Sequence, residues 1–254
     1  MRVAGADHLV PEQLGLYSSS DRESSPAALV ITSGLMKTYN EDAGGWERFD
    51  RRAFYAVADA HFGEAAAVIA VDTCLTFLSR ALSSEEQFQP ERFRSSFQRS
   101  LALTEARILR QEGASSSETT LLALAIGWGR VFWGSFGDSR LYAEPRSEQI
   151  NPADGNYLGG TARSVSILAG AMSWGELEGS IAQDRRCRLM LCTDGVPESG
   201  GIAAEEWDPQ AICSILAAAS DVTSAAANLA KAALDRGGSD NLCAIVLDLP
   251  RSSG

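Results

Sequence analysis

The stretch RRAFYAVADAHFGEAAA, residues 51–67, ends an apolar run on a carboxylate. The six residues Ala53–Ala58 are typical of a buried strand, Asp59 follows at once, and His61 is one of only two histidines in the chain. Asp is depleted in strands and common in turns, so Asp59 alone predicts no more than a turn. A carboxylate and a scarce histidine at the end of a buried strand nevertheless mark a candidate functional site.

The pattern around this stretch predicts strands, paired helices, a meander, and then helices and a last strand. The segment TTLLALAIGWGRVFWGSFGDSRLYAE alternates apolar and polar residues and turns at Gly127-Trp128-Gly129, which indicates an antiparallel meander. Strands are expected at Leu29–Ser33, Ala53–Asp59, CRLMLC and NLCAIVLDL, and helices at Glu64–Leu82, Glu91–Glu112, Pro209–Ala219 and Thr223–Asp235. This order predicts an α+β fold in which two stacked antiparallel sheets are each covered by a helix pair.

One domain is expected. SSSDRESSP, residues 18–26, is the clearest low-complexity stretch, so residues 1–26 are predicted to be a partly mobile N-terminal segment. Residues 27–250 show no break in composition and are long enough to bury a core, and residues 251–254 form a short tail.

The net charge and the spacing of the cysteines narrow the possible partners and the cellular location. A net charge of −11 argues against nucleic acid and against an anionic membrane surface as partners. The five cysteines include no C-x-x-C pair, and MRVAGADHLVPEQLGL lacks the apolar core of a signal peptide. These features predict a cytoplasmic protein.

Acidic residues recur where predicted strands meet turns. The segments are YNEDA, AVADAH, SFGDSR, LCTDG and GGSDN, with Glu41, Asp42, Asp59, Asp138, Asp194 and Asp240. Carboxylates that converge from several strands repel one another unless a cation neutralises them, and Mg²⁺ and Mn²⁺ prefer such an oxygen-rich shell.

Five segments in order resemble the successive motifs of the type 2C (PPM) metal-dependent protein serine/threonine phosphatases. They are NEDA, FYAVADAHFGE, TTLLALAIGWGRVFWGSFGDSRLY, RLMLCTDGVPES and AALDRGGSDNLCAIVLDL, and the resemblance spans residues 31–249. It implies the family's α-β-β-α sandwich and the hydrolysis of phosphoserine and phosphothreonine in proteins by attack of a metal-bridging water or hydroxide. It also implies a signalling role, a phosphorylated protein as substrate and a cognate serine/threonine kinase as partner.

The resemblance assigns a role to each matching residue. Two ions, Mn²⁺ or Mg²⁺, would be held by Asp42, Asp59, the backbone carbonyl of Ala60, Asp194 and Asp240, with Glu41 acting through water and Asp138 helping to hold a weaker third ion. His61 would give a proton to the leaving seryl or threonyl oxygen, a task for which the histidine side chain is well suited.

The chain departs from the family pattern in three places. Lys37 stands where members usually have an arginine that holds the substrate phosphate, and lysine lacks the bidentate fork. The usual DGHGG or DGMGG is DAHFG, so Ala60 and Phe62 replace small residues. The flap before RLMLCTDG is predicted to be short and lacks the HP…N…R pattern.

These departures keep two alternatives open. One is a catalytically weak regulatory or binding domain of the same fold, and the other is a phosphatase of a small phosphorylated metabolite that enters an open channel.

Overall fold

The structure is a computed structural model that describes residues 2–3, 14–19, 26–111, 116–160, 163–177, 187–201 and 204–249. Its helices are α1 (Ala65–Ala81), α2 (Pro90–Arg110), α3 (Val165–Ala171), α4 (Pro209–Ala218) and α5 (Val222–Asp235), with a 3₁₀ turn at Glu85–Gln87. Its strands are β1 (Arg2–Val3), β2 (Gly15–Ser19), β3 (Ala27–Thr32), β4 (Ala43–Phe49), β5 (Arg52–Ala58), β6 (Ala60–His61), β7 (Glu118–Thr119), β8 (Leu121–Gly127), β9 (Arg130–Phe136), β10 (Arg140–Glu144), β11 (Glu148–Gln149), β12 (Leu158–Gly159), β13 (Ser173–Glu176), β14 (Arg188–Cys192) and β15 (Leu242–Asp248).

Two six-stranded antiparallel sheets form the centre of the fold. The first has the order β1-β4-β5-β8-β9-β13, and the second has the order β11-β10-β14-β15-β3-β2. Side chains from both sheets, among them Leu29, Tyr55, Leu124 and Ile245, form one buried cluster between them. The outer face of the first sheet packs on α1 and α2, and that of the second packs on α4 and α5. The predicted α+β sandwich is confirmed.

The β8–β9 hairpin shows why the meander folds as its sequence indicates. Gly127 pairs with Arg130, and the two turn residues Trp128 and Gly129 have φ angles of +48° and +76°. Positive φ at both central residues is the type I′ pattern, whose twist matches that of the flanking strands. Arg52, opposite Gly127 on β5, lies over the ring of Trp128 and closes this end of the first sheet.

The structure contains elements that the sequence pattern does not predict, among them an N-terminal edge strand, strand β4 and helix α3. Residues 15–19 pair with β3 as an edge strand, although residues 1–26 were assigned to a separate segment. Of SSSDRESSP, residues 20–25 lie outside the described residues, as does the tail at 251–254. Strand β4 was not predicted, because its Gly44, Gly45 and charged residues give no apolar alternation.

A third, small sheet lies at the end of the sandwich where β5 ends. Its order is β12-β7-β6, with His61 opposite Glu118 and Glu118 opposite Gly159. This small sheet carries the chain from Asp59 to the start of α1, and so fixes the position of the predicted histidine. Within the described ranges, every helix is too short or too polar to cross a bilayer.

Candidate active site

The predicted carboxylates lie at one end of the sandwich and come from both sheets. Asp42 directly precedes β4 and Asp59 directly follows β5, both in the first sheet. Asp194 follows β14 and Asp240 precedes β15, both in the second sheet. The sheets are linked here by a hydrogen bond of 2.8 Å, which Thr193 Oγ1 donates to Asp42 Oδ2.

Burial and mutual repulsion make these carboxylates costly to ionise. Burial is the main cause that raises the pKa of Asp42, Asp59 and Asp194 well above the ordinary value of 3.8. Repulsion adds to it, chiefly from Asp194 on Asp42, from Asp42 on Asp59, and from Asp59 on Asp194. The acidic end therefore favours a bound cation, which would stabilise the ionised forms.

The donor set fits hard divalent ions. Asp138, in the turn between β9 and β10, has one buried carboxylate oxygen, Oδ1, without a hydrogen-bond partner. Among the described residues, no three His, Cys, Asp or Glu side chains already surround one point as ligands of a single ion. The carboxylates instead interact in pairs, Asp42 with Asp59 and Asp59 with Asp194. Mg²⁺ and Mn²⁺ accept such sparse oxygen ligation, since Mg²⁺ usually keeps several of its waters.

Two threonines that were not predicted hold Asp59 in place. The Asp59 N–H donates to Thr120 Oγ1 at 3.0 Å, and Thr119 Oγ1 donates to the Asp59 carbonyl at 2.8 Å. Ala60 pairs with Thr119 in the small sheet, and its backbone φ angle is not positive. The alanine that replaces the family's glycine is therefore accommodated without backbone strain.

Asn241 fixes the loop that precedes Asp42. Its Oδ1 accepts from the Glu41 N–H at 2.8 Å, and its Nδ2 donates to the carbonyls of Ser33 and Tyr39. Gly195 brings the turn of Asp194 against the same asparagine, because a Cβ at this position would overlap the Asn241 carbonyl. Asn241 directly follows Asp240 in GGSDN, and this adjacency is the only sequence signal of its role.

Glu41 and Phe62 shape the turn beyond Asp59. The Gly63 N–H donates to Glu41 Oε1 at 2.6 Å, so Glu41 holds this turn instead of lying free. Phe62 has a φ of +63° and its side chain is 72% exposed. A left-handed conformation costs a non-glycine residue about 1–2 kcal/mol, so the position where the family has a glycine is strained here.

His61 lies two residues after Asp59 and contacts Tyr157. Its ring meets that of Tyr157 edge to face, with centroids 5.0 Å apart, and its Nδ1 is buried without a hydrogen-bond partner. The Tyr157 hydroxyl donates to Asp138 Oδ2 at 3.2 Å. Tyr157 belongs to GNYLGG, in which the sequence indicated only a glycine-rich turn, so its contacts with two predicted site residues were missed.

Lys37 contacts a predicted metal ligand. Its Nζ lies 2.9 Å from Asp240 Oδ1, and both side chains are 42% exposed. Burial lowers the pKa of Lys37, but the ion pair with Asp240 and the nearby Glu41 outweigh burial, so the net shift is upward and the ammonium keeps its charge. Gly34, with a φ of +74°, lets this loop approach the Asp240 carbonyl, where a side chain would overlap.

The sequence matches the model of a known protein family. The family model described as protein phosphatase 2C matches residues 36–234, a stretch that contains every predicted site residue except Asp240. No curated protein matches the sequence.

Several solved structures share the fold. The serine/threonine phosphatase PstP/Ppp of Mycobacterium tuberculosis is 21% identical, with a TM-score of 0.63 over 89% of this chain and 98% of that one. A PstP catalytic domain in complex with two manganese ions is 20% identical, with a TM-score of 0.63 over 94% of this chain and 100% of that one. PppA of Pseudomonas aeruginosa, described as a key regulatory component of T6SS, is 20% identical, with a TM-score of 0.66 over 91% and 99%. The family match and the shared fold lead to one conclusion: this chain belongs to the protein phosphatase 2C family of metal-dependent protein serine/threonine phosphatases.

Proposed function

We propose that the acidic end of the sandwich holds two divalent ions, Mn²⁺ or Mg²⁺, and is the centre at which this chain hydrolyses phosphoserine and phosphothreonine in proteins. The observation that carries the proposal is the set of buried carboxylates from both sheets, which repel one another and have raised pKa values. The manganese-bound PstP domain, which shares the fold, supports the choice of ions.

Each predicted ligand keeps its role in this proposal. The two ions would be held by Asp42, Asp59, the Ala60 carbonyl, Asp194 and Asp240. Glu41 would act through water, and Asp138 would hold a weaker third ion with its free Oδ1. When bound, such ions acidify water and neutralise phosphate oxygens.

His61 would protonate the leaving oxygen of the substrate serine or threonine. Because Nδ1 is buried, Nε2 is the nitrogen that would carry the proton into the site. The contact with the Tyr157 ring limits how far the imidazole can turn. A proton donor held in place contributes typically 10²–10⁴-fold to the rate of such a step.

Lys37 would bind the substrate phosphate once a cation competes for Asp240. The 2.9 Å ion pair with Asp240 orients the ammonium toward the carboxylates, and its partial exposure leaves room for it to turn. A single ammonium binds phosphate as a point charge, without the two parallel hydrogen bonds of an arginine.

The partner kinase, the signalling role and the cytoplasmic location stay predictions from the sequence. A binding domain without activity is disfavoured, because such a domain would gain nothing from three buried carboxylates that repel one another. A metabolite phosphatase is disfavoured by membership of a family of protein phosphatases.

Hydrolysis of an aryl phosphate tests the metal centre. Wild type should be active with Mn²⁺ and inactive with EDTA, and Asp59→Ala and Asp240→Ala should each lose about 100-fold or more in kcat/KM. Asp235→Ala, an exposed position at the end of α5, is the matched control and should behave as wild type. Equal rates for wild type and the two site variants would refute the proposed centre.

A further inference from the structure

A polar cavity adjoins the active site on the small sheet. It has a volume of about 210 Å³ and is bordered by Glu118, Asn156, Tyr157, Arg163 and the backbone at Gly159 and Gly160. The absence of a side chain at Gly160 keeps it open, since a Cβ there would approach Glu118 Oε2 to 3.3 Å. A cavity of about 150 Å³ can hold a benzene molecule, so this volume has room for the charged end of a long side chain.

The cavity lies next to His61, the proposed proton donor. Glu118 lies directly opposite His61 in the β6–β7 pair, and residues directly opposite in antiparallel strands have Cβ atoms about 4.5–5.5 Å apart. Tyr157 also borders the cavity, and its hydroxyl donates to Asp138 Oδ2. An extended peptide spans at most about 3.3–3.6 Å per residue, so a residue two or three positions from the phosphorylated one can reach the cavity.

The charge open to a ligand in this cavity is negative. The Arg163 guanidinium is paired with the buried Glu105 carboxylate, to which its Nε donates at 3.3 Å, so the two charges cancel. The Arg163 backbone N–H donates to the same carboxylate at 2.5 Å. Asn156 donates its side-chain amide to Asp154 at 2.8 Å. The half-buried Glu118 carboxylate makes no side-chain hydrogen bond or ion pair with any described residue.

We propose that this cavity, the Glu118 pocket, binds an arginine or lysine side chain of the phosphoprotein substrate, two or three residues from the phosphorylated serine or threonine. The proposal rests on the proposed function and adds a preference in substrate sequence. A guanidinium in the pocket would pair with the Glu118 carboxylate. The net charge of −11 also favours the approach of a basic peptide.

Kinetics with a set of phosphopeptides tests the pocket. In this set a single arginine replaces alanine at each of the four positions on either side of the phosphoserine. For wild type with Mn²⁺, arginine at the preferred position should lower KM by about two- to fivefold, the range for a partly exposed ion pair, and should leave kcat nearly unchanged. Glu118→Gln should abolish the difference between the arginine and alanine peptides, and Glu118→Lys should replace it with a preference for glutamate.

Glu86→Gln is the matched control. Glu86 is exposed in the 3₁₀ turn beside Phe88, which packs on Trp128 at the opposite end of β5, so its removal should leave the arginine preference intact. Aryl phosphate turnover by each Glu118 variant shows whether its metal centre is intact.

The outcomes separate the two proposals. If wild type hydrolyses the aryl phosphate and all peptides without regard to arginine, or if Glu118→Gln keeps the preference, the pocket proposal is overturned and the proposed function stands. A wild-type preference for acidic neighbours would overturn it in the same way. If wild type hydrolyses neither the aryl phosphate nor any peptide, the proposed function fails and the pocket proposal fails with it.

Discussion

Asp42→Asn should make the stability of the metal-free protein less dependent on pH. Asp42 is fully buried, and burial, followed by repulsion from Asp194 and Asp240, raises its pKa well above 3.8. At pH values between 3.8 and the raised pKa, Asp42 keeps its proton in the folded chain but has released it in the unfolded chain. The free energy of unfolding therefore falls as the pH rises through this window, by at most about 1.4 kcal/mol per pH unit for each such proton.

The magnitude follows from the number of such carboxyls. Asp42, Asp59 and Asp194, the three carboxyls whose pKa values lie well above 3.8, together allow a slope of at most about 4 kcal/mol per pH unit, and removal of one leaves about two-thirds of this limit. The pKa values of Asp138 and Glu198 are also raised, and these two groups add to the slope in the same direction in wild type and variant. For a chain of this size about 1 kcal/mol corresponds to about 2–4 °C in Tm, so the difference is measurable. The pKa values of Glu206 and Asp221 are lowered in the folded chain, so these groups stabilise it at every pH above about 4.5. They therefore do not change the slope of stability against pH between pH 5 and 7.5. The asparagine can still accept the hydrogen bond from Thr193.

Thermal unfolding in EDTA from pH 5 to 7.5 measures these slopes. The Tm of wild type should fall as the pH rises, that of Asp42→Asn should fall less, and that of the exposed control Asp235→Asn should follow wild type. With Mn²⁺ the wild-type trend should reverse, because the ion binds the ionised carboxylates. A wild-type Tm in EDTA that rises with pH, or equal slopes for wild type and Asp42→Asn, would refute the reasoning.

Three further substitutions test single contacts of the site. Lys37→Arg should lower KM for an aryl phosphate by about threefold, because the guanidinium can bind phosphate with two hydrogen bonds; an unchanged or raised KM would contradict this role. Tyr157→Phe removes the hydrogen bond to Asp138 and should cost about 1 kcal/mol in the free energy of unfolding, measured in urea, with no loss if the bond is absent in solution. Phe62→Gly relieves about 1–2 kcal/mol of left-handed strain against about 0.5–1 kcal/mol of added chain entropy, so its Tm should not fall; a clear drop would show that the exposed ring contributes to packing.

The sequence predicted the elements whose pattern is local. The alternation of the meander and the type I′ turn at Trp128-Gly129 depend on neighbouring residues. The acidic residues at strand ends can likewise be recognised in the sequence, because they stand next to apolar runs. Strand β4 escaped prediction because Gly44 and Gly45 are poor strand formers, and pairing with β5 overrides that preference.

The supporting residues of the site could not be predicted, because they act across long sequence distances. Asn241 holds the Glu41 backbone 200 residues away, and Thr193 contacts Asp42 across 151 residues. Threonine and asparagine are common in turns for local reasons, so their identity carries little information about distant partners. Tyr157 is a similar case, because its two partners, His61 and Asp138, come from other segments.

Because the carboxylates are divided between the two sheets, the proposed metal centre depends on how the sheets are aligned. Asp42 and Asp59 move with one layer, and Asp194 and Asp240 move with the other. A core substitution that lets the layers slide by a fraction of an ångström would separate the two halves of the site while each layer keeps its own hydrogen bonds. Turnover and metal affinity would then decline before the cooperative unfolding of the domain changes, and damage deep in the core would first be seen as a loss of catalysis.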